Sequence, residues 1–324
     1  MKAPTSTISS IAVVSGGTSN EHSVSLQTGE ALRYALQDRY TVHNIYITSD
    51  GLFVYNENYV HPERAFRYSD VVINGLHGVY GEDGTFQTLL DQLGISYTGS
   101  KAFASALAMN KERTRTHLLH TVHQPVWRLL RKDECECIDE CAHELYETFP
   151  QPSIIKPNTG GSSVGVVKVH SRSDIATGLQ HAFQYTDSLI IEECIHGKEV
   201  SCSVIDQFRG ERWYTPPVIE IIPDSYHDFF DYNAKYNGAS YELCPGGIST
   251  EERTLIQNTA RHVHKELGLR QYSRSDFIIH PRRGVYFLEV NTLPGMTDQS
   301  LFPQMLNAVG VSLSEFLDHI ILHS

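Results

Sequence analysis

The chain has 324 residues, 40% hydrophobic and 20% charged, which suits a globular protein of two or three domains and excludes a disordered one. With 26 Lys and Arg against 38 Asp and Glu the formal net charge is −12, a balance that repels nucleic-acid phosphates and argues against a nucleic-acid partner. No apolar run nears the roughly 18–20 residues of a membrane span, and the N-terminus lacks a secretory core, so a cytoplasmic protein with reduced thiols and no membrane partner is expected.

The first hundred residues alternate in the βαβ manner. A β-rich run from Ile8 to Val14 stops at Gly16-Gly17. A helix is expected from about Ser23 to Gln37, then strands near Thr41 to Ile47 and Val71 to Asn74. Phe86, Leu89, Leu90 and Leu93 recur on one helix face. This stretch reads as a small parallel-sheet domain. A helical segment around Lys101 to His120 leads to a turn at Gln124-Pro125. Cys135, Cys137, Cys141 and His143 lack paired CxxC spacing and read as incidental thiols of an acidic surface segment rather than a zinc site.

From Ser153 the texture changes to short strands: Ser153 to Pro157, Val164 to Val169, Leu189 to Ile195 and Lys198 to Ile205, with a helix near Ser173 to Tyr185. Tyr226 to Gly247 has weak periodicity and reads as a long loop, the length at which loops act as lids or are disordered. The capping boxes Ser249-x-x-Glu252 and Ser312-x-x-Glu315 open two further helices. The first turns Leu255, Ile256, Val263 and Leu267 inward and closes at Gly268. Between them Ser275 to His280 and Val285 to Asn291 form a hairpin about Pro281 to Gly284.

Four places invite chemistry. Glu289 and Asn291 are two apart on a strand and share a face, with Asp276 on the partner strand. Three oxygen donors without Cys or His suit Mg²⁺, although spacing alone fits a polar solvent face better, since acidic strand faces are common. Gly160-Gly161-Ser162-Ser163-Val164-Gly165 follows Lys156 and could wrap phosphate with N–H and hydroxyl donors, or be a plain turn. It is neither a Walker loop nor a Rossmann fingerprint, because no Lys follows the second glycine and a strand follows the loop. Gly16 to Glu21 follows the first strand, where open α/β sheets hold ligands; Glu21 there could grip an ammonium or simply face a helix start. His77 sits in a second glycine-rich loop after a strand.

Together these segments resemble D-alanine–D-alanine ligases of the ATP-grasp superfamily. The resemblance runs in order from Ser15 to about Pro303. It is carried by Gly16 to Leu26, Leu76-His77-Gly78 with Gly81 to Gly84, Tyr97 to Ser100 and Met109-Asn110-Lys111. Lys156-Pro157 with Gly161 to Gly165, Asp231-Tyr232 with Ala234-Lys235-Tyr236, and Glu289 to Thr297 with Ser300-Leu301 complete it.

The resemblance implies an α/β, mixed α+β, ATP-grasp fold. An N-terminal Rossmann-like substrate domain would span 1–105, a central subdomain 106–195, and a C-terminal metal-binding domain 196–324 with a lid about 226–247. ATP would lie between the last two. Lys111 and Lys156 would hold its phosphates with Gly161, Ser162 and Ser163; Glu192, Glu193 and Ile195 would meet adenine, and Glu199 the ribose. Asp276, Glu289 and Asn291 would hold two Mg²⁺, with Mn²⁺ as a substitute. Glu21 would grip the first D-alanine's ammonium beside His77, itself a candidate base. Arg274 and the Gly295 N–H would form the oxyanion hole. Lys235, Ser300 and Leu301 would form the second D-alanine subsite, and Ser162 and Tyr236 would latch the lid.

The implied product is D-alanyl-D-alanine, a peptidoglycan precursor, made through an acyl phosphate by a homodimer. A D-alanine–D-lactate or D-alanine–D-serine ligase, or a non-catalytic nucleotide-binding relative, is the alternative. Ser23 stands where the family commonly has Glu, Phe230 where Tyr is frequent, and Gly246-Gly247 where an Ala-containing segment is usual. None removes a group given a chemical role.

Overall fold

Ile11, Ala12, Val13 and Val14 are all buried, as a central strand covered on both faces requires. They lie on β1 (Ser10–Gly16), which pairs in parallel with β2 (Thr41–Ile47) and β5 (Val71–Asn74). A hairpin of β3 (Phe53–Tyr55) and β4 (Asn58–Val60) adds antiparallel strands, giving the order β4-β3-β2-β1-β5. The period of two divides β1 between two cores. Ala12 and Val14 pack with Phe86 and Leu90, whereas Ile11 and Val13 join a cluster with Phe302, Phe316 and Ile320 from the end of the chain. The helix Leu313–Leu322 therefore belongs to the first sheet's packing.

The structure is a computed structural model, and it describes residues 8–161, 164–223 and 240–324. A second, antiparallel sheet has the order β6-β9-β7-β8, from β6 (Trp127–Arg131), β7 (Ser153–Pro157), β8 (Val167–Val169) and β9 (Ser188–Glu193). Helices Ile138–Thr148 and Arg172–Ala182 cover it through Leu145, Ile175 and Leu179. The third sheet contains β10 (Lys198–Phe208), β11 (Glu211–Tyr214), β12 (Ile219–Pro223), β13 (Ser240–Leu243), β14 (Tyr272–His280) and β15 (Gly284–Asn291). Its order is β13-β12-β10-β14-β15, with β11 on β10, and helix Thr250–Glu266 backs it.

Several expectations need correction. The helix expected over Lys101 to His120 is two helices, Ala102–Met109 and Lys111–His117. Asn110 breaks it by leaving helical conformation, and its side chain caps the second helix through the Arg113 N–H at 2.9 Å. Leu255 is 51% exposed. The buried stripe of its helix is Ile256, Ala260, Val263 and His264, and Leu255 lies about 100° around from Ile256. The strand expected from Val164 begins only at Val167, and the one expected to reach Ile195 ends at Glu193. Within the expected loop at 226–247, Ser240–Leu243 is a strand paired to β12, while 224–239 lies outside the described residues. Cys135 and Cys141 are joined as a disulfide, which overturns the reading of both as free thiols; Cys137 is free and exposed.

Candidate active site

The hairpin of β14 and β15 sets the chemistry. Its register places Arg274 opposite Asn291 and Asp276 opposite Glu289. Just beyond, the register shifts between Asp276 and Phe277, so that Leu288 is the extra residue of a bulge. The bulge turns the Leu288 carbonyl to accept from Arg115 Nη2 at 3.1 Å.

Asp276 is 7% exposed and each of its oxygens accepts two hydrogen bonds. Ser201 Oγ at 2.6 Å and Arg274 Nε at 2.9 Å donate to Oδ1. Arg274 Nη2 at 2.8 Å and Asn291 Nδ2 at 3.1 Å donate to Oδ2. Burial works against the Arg274 cation, but Asp276, with Glu289 and Glu82 behind it, holds the guanidinium above its ordinary range. Two of the five N–H donors of Arg274 are thus committed to orientation, which leaves the rest of the fork for a ligand.

Lys111 opens the helix Lys111–His117 and donates from Nζ to the Gly160 carbonyl at 2.8 Å; Glu289 Oε2 lies 3.7 Å away. Burial first, then the Lys156 and Arg115 cations, push the Lys111 ammonium below its ordinary range against the pull of Glu289 and Glu192. Lys156 on β7 and the fully buried Arg115 both pair with the Glu192 carboxylate on β9. Three cations and two carboxylates thus crowd together, and all but Arg115 line a cavity of about 350 Å³ between the second and third sheets. That cavity brings together Lys111, Lys156, Gly161, Glu192, Glu193, Ile195, Glu199, Asp276 and Glu289. Glu193 also pairs with Arg283 at 2.6 Å.

A second cluster lies beside it, built from loops that follow β1 and β5. Glu21 is 9% exposed and His77 is 6% exposed. His77 Nε2 is 2.7 Å from Thr28 Oγ1, and Glu82 Oε1 is 4.0 Å from His77 Nδ1. Burial first, with Arg274 adding to it, lowers the His77 ring to about 4 against a bond with the Leu293 main chain, so the ring is neutral at neutral pH. Glu82 accepts from the Gly78 N–H at 2.9 Å, yet burial first and Glu21 second push its carboxyl up to about 8. The phosphate-loop side reaches this cluster as well: a Cβ on Gly161 would lie 2.9 Å from Glu21 Oε2.

Gly295 approaches Ser300 so closely that a Cβ there would lie 2.7 Å from Ser300 Oγ, and Ser300 Oγ is 2.8 Å from Thr297 Oγ1. Ser300 is the N-cap residue of helix Leu301–Asn307. Ser162, Ser163, Lys235 and Tyr236 lie outside the described residues. Arg115 and Glu82 were not given roles from the sequence. Arg115 is one helical turn after Lys111, which was the available signal. Glu82 belongs to a motif already singled out, but nothing in sequence shows its burial.

Two family models match: "D-ala D-ala ligase C-terminus" over residues 120–322, and "D-ala D-ala ligase N-terminus" over 10–69 and 56–100. The chain belongs to the D-alanine–D-alanine ligase family. Among relatives of that name, one from Leptospira interrogans is 36% identical, covering 96% of this chain and 97% of its own length. Another, from Syntrophobacter fumaroxidans, is 37% identical, covering 96% of each. The VanG D-Ala:D-Ser ligase from Enterococcus faecalis superimposes with a TM-score of 0.83 at 30% identity, over 97% of this chain and 99% of that one. D-alanyl-alanine synthetase A from Vibrio cholerae gives 0.83 at 25% identity over 98% of each. The architecture is therefore the ATP-grasp fold.

Membership makes the chain an ATP-dependent ligase and implies a divalent metal. Among the described residues no three His, Cys, Asp or Glu groups gather on one point. The oxygen set at this hairpin is two carboxylates and an amide. Because Asn291 donates to Asp276 through Nδ2, its Oδ1 is left as an acceptor. A hard-oxygen set without sulfur or imidazole fits Mg²⁺ or Mn²⁺.

Proposed function

We propose that the chain joins two D-alanines to D-alanyl-D-alanine, with ATP consumed to ADP and phosphate, for peptidoglycan precursor synthesis. One observation carries the reading: a single cavity is lined by Lys111, Lys156, Asp276 and Glu289 together, with Glu21 adjoining at Gly161. In this reading the lysines and the 161–163 loop hold the phosphates, Glu192, Glu193 and Ile195 meet adenine, and Glu199 meets the ribose. Asp276, Glu289 and Asn291 would hold two Mg²⁺, or Mn²⁺, which neutralise charge on the transferring group.

Glu21 grips the ammonium of the first D-alanine and aims its carboxylate at the γ-phosphorus. The resulting acyl phosphate is attacked at carbon by the amine of the second D-alanine, and phosphate leaves. The Arg274 fork, held by Asp276, and the Gly295 N–H donate to the oxyanion of the tetrahedral intermediate. The attacking amine must first lose a proton; His77 is the candidate base, although burial that lowers its ring to about 4 makes it a weak one. Ser300 and Leu301, with Lys235, receive the second D-alanine, and Ser162 and Tyr236 latch the lid at about 226–247 so that water is excluded. Substrate, central and metal-binding domains are assigned to 1–105, 106–195 and 196–324. The assembly is a cytoplasmic homodimer; no helix among the described residues is long and apolar enough to cross a membrane.

The likeness to a D-Ala:D-Ser ligase supports a second reading, in which D-serine replaces the second D-alanine. Purified protein given ATP, Mg²⁺ and D-alanine should release phosphate and form the dipeptide, and L-alanine should not substitute. Absence of any D-alanine-dependent phosphate sinks the ligase reading, whereas a mixed D-alanine and D-serine assay yielding mainly the serine product establishes the second.

A further inference from the structure

We infer that Gln271 is a positioning residue whose side-chain amide ties the substrate-binding loops to the strand that carries Arg274. The inference rests on the ligase reading above. Gln271 is 3% exposed and has φ +66, a left-handed conformation that glycine adopts freely and an L side chain does not. Its backbone has a complete set of partners without the side chain. The N–H donates to Asp206 Oδ2 at 2.7 Å, and the carbonyl accepts from the Asp206 N–H at 2.8 Å. Glycine would make the same two bonds without strain. What glutamine adds is a bridge.

Gln271 Oε1 accepts from the Gly99 N–H at 2.7 Å, and Nε2 donates to the Ile320 carbonyl at 2.8 Å. One amide therefore joins three segments far apart in sequence. Arg270 reinforces the first contact: its Nε donates to the Gly99 carbonyl at 2.8 Å, its N–H donates to Ser100 Oγ at 3.1 Å, and Nη2 donates to the Tyr97 carbonyl. From Gly99 the path to the site is short. The Thr98 N–H donates to Val72 at 3.0 Å, and Val72 lies on β5, whose following loop presents His77 and Gly78. A Cβ on Gly99 would lie 3.5 Å from Leu293 Cδ2, in the loop that leads to Gly295. In the other direction Gln271 immediately precedes β14, with Arg274 three residues on.

The amide thus fixes the distance between the side that holds the first D-alanine and the side that holds its oxyanion. Such a tether acts on coupling more than on either half-reaction, because an acyl phosphate shifted off its oxyanion donors is out of line with the incoming amine and stays open to water. A purely structural residue would lower both products in parallel.

The test compares Q271G with wild type by phosphate released per dipeptide formed. Q271G relieves the backbone, keeps both Asp206 bonds and deletes only the bridge. Q271E keeps the Gly99 bond but sets an acceptor against the Ile320 carbonyl, and serves if the glycine variant does not fold. Wild type should release one phosphate per dipeptide. The variants should release at least about threefold more, with the KM for ATP within about twofold of wild type. Unchanged stoichiometry in a folded variant overturns the inference alone, whether or not the rate falls. Wild type that makes no dipeptide overturns the ligase reading and this inference with it.

Discussion

Glu82→Gln should stabilise the folded chain at neutral pH and flatten its pH dependence. Glu82 is buried beside Glu21, and those two causes, in that order, lift its carboxyl from 4.5 to about 8 against opposing bonds from Gly78 and Leu293 and the charge of Arg274. Between those values the folded chain holds a proton that the unfolded chain has lost. Stability is therefore fully present below the unfolded value and falls as pH rises toward the folded one. At about 1.4 kcal/mol per pH unit, the loss accumulated between 4.5 and pH 7 reaches about 3 kcal/mol.

Glutamine is neutral throughout this range. Its oxygen can accept from the Gly78 N–H, now 2.9 Å from Glu82 Oε1, and its neutral amide removes the repulsion from Glu21. Glu82→Gln is thus expected to recover about 1–3 kcal/mol at pH 7, more at pH 8 and almost none at pH 5. Urea unfolding midpoints at the three pH values measure this. A Glu82→Gln variant less stable than wild type at pH 7, or a difference that does not widen with pH, refutes the reasoning.

Arg274→Lys replaces a fork that holds both Asp276 oxygens with a single ammonium; kcat is expected to fall about 10²–10³-fold with a smaller change in the KM for ATP, by steady-state kinetics. Gly161→Ala would set a Cβ 2.9 Å from Glu21 Oε2, the far end of a flexible side chain, so the fold should persist while the KM for D-alanine rises about tenfold. His77, lowered to about 4, should show no ring titration by NMR between pH 5.5 and 8. The unfolded chain binds this proton near 6.5, so the contribution of His77 to stability is lost as pH falls from there toward 4.

The sequence exposed those parts of the site whose local pattern is strong. The hairpin of β14 and β15 was readable because Asp276, Glu289 and Asn291 interrupt an apolar alternation at strand spacing, and Ser249 and Ser312 marked helix starts by their paired acids. Strand β6 was not readable, because only Leu130 of Trp127–Arg131 is fully buried and the remaining alternation is blurred by arginines. The pairing of Arg115 with Glu192 and the closeness of Glu21 to Glu82 join segments far apart in the chain, and the bulge at Leu288 depends on how two strands pair. No local window contains them.

The glycines illustrate why the same residues can be identified from sequence and still be understood only in three dimensions. A Gly-rich loop after Lys156 suggests N–H donors turned toward phosphate. In the fold, Gly161 and Gly78 approach one carboxylate from different loops: an added Cβ would lie 2.9 Å from Glu21 Oε2 at the first and 2.5 Å at the second. Gly78 also has φ +72, so a side chain there would be strained as well as crowded. Clearance around Glu21 is therefore a second demand on these loops, separate from any phosphate. It binds the nucleotide side and the amino-acid side of the site to one geometry, since neither loop can shift toward the other without striking the carboxylate between them.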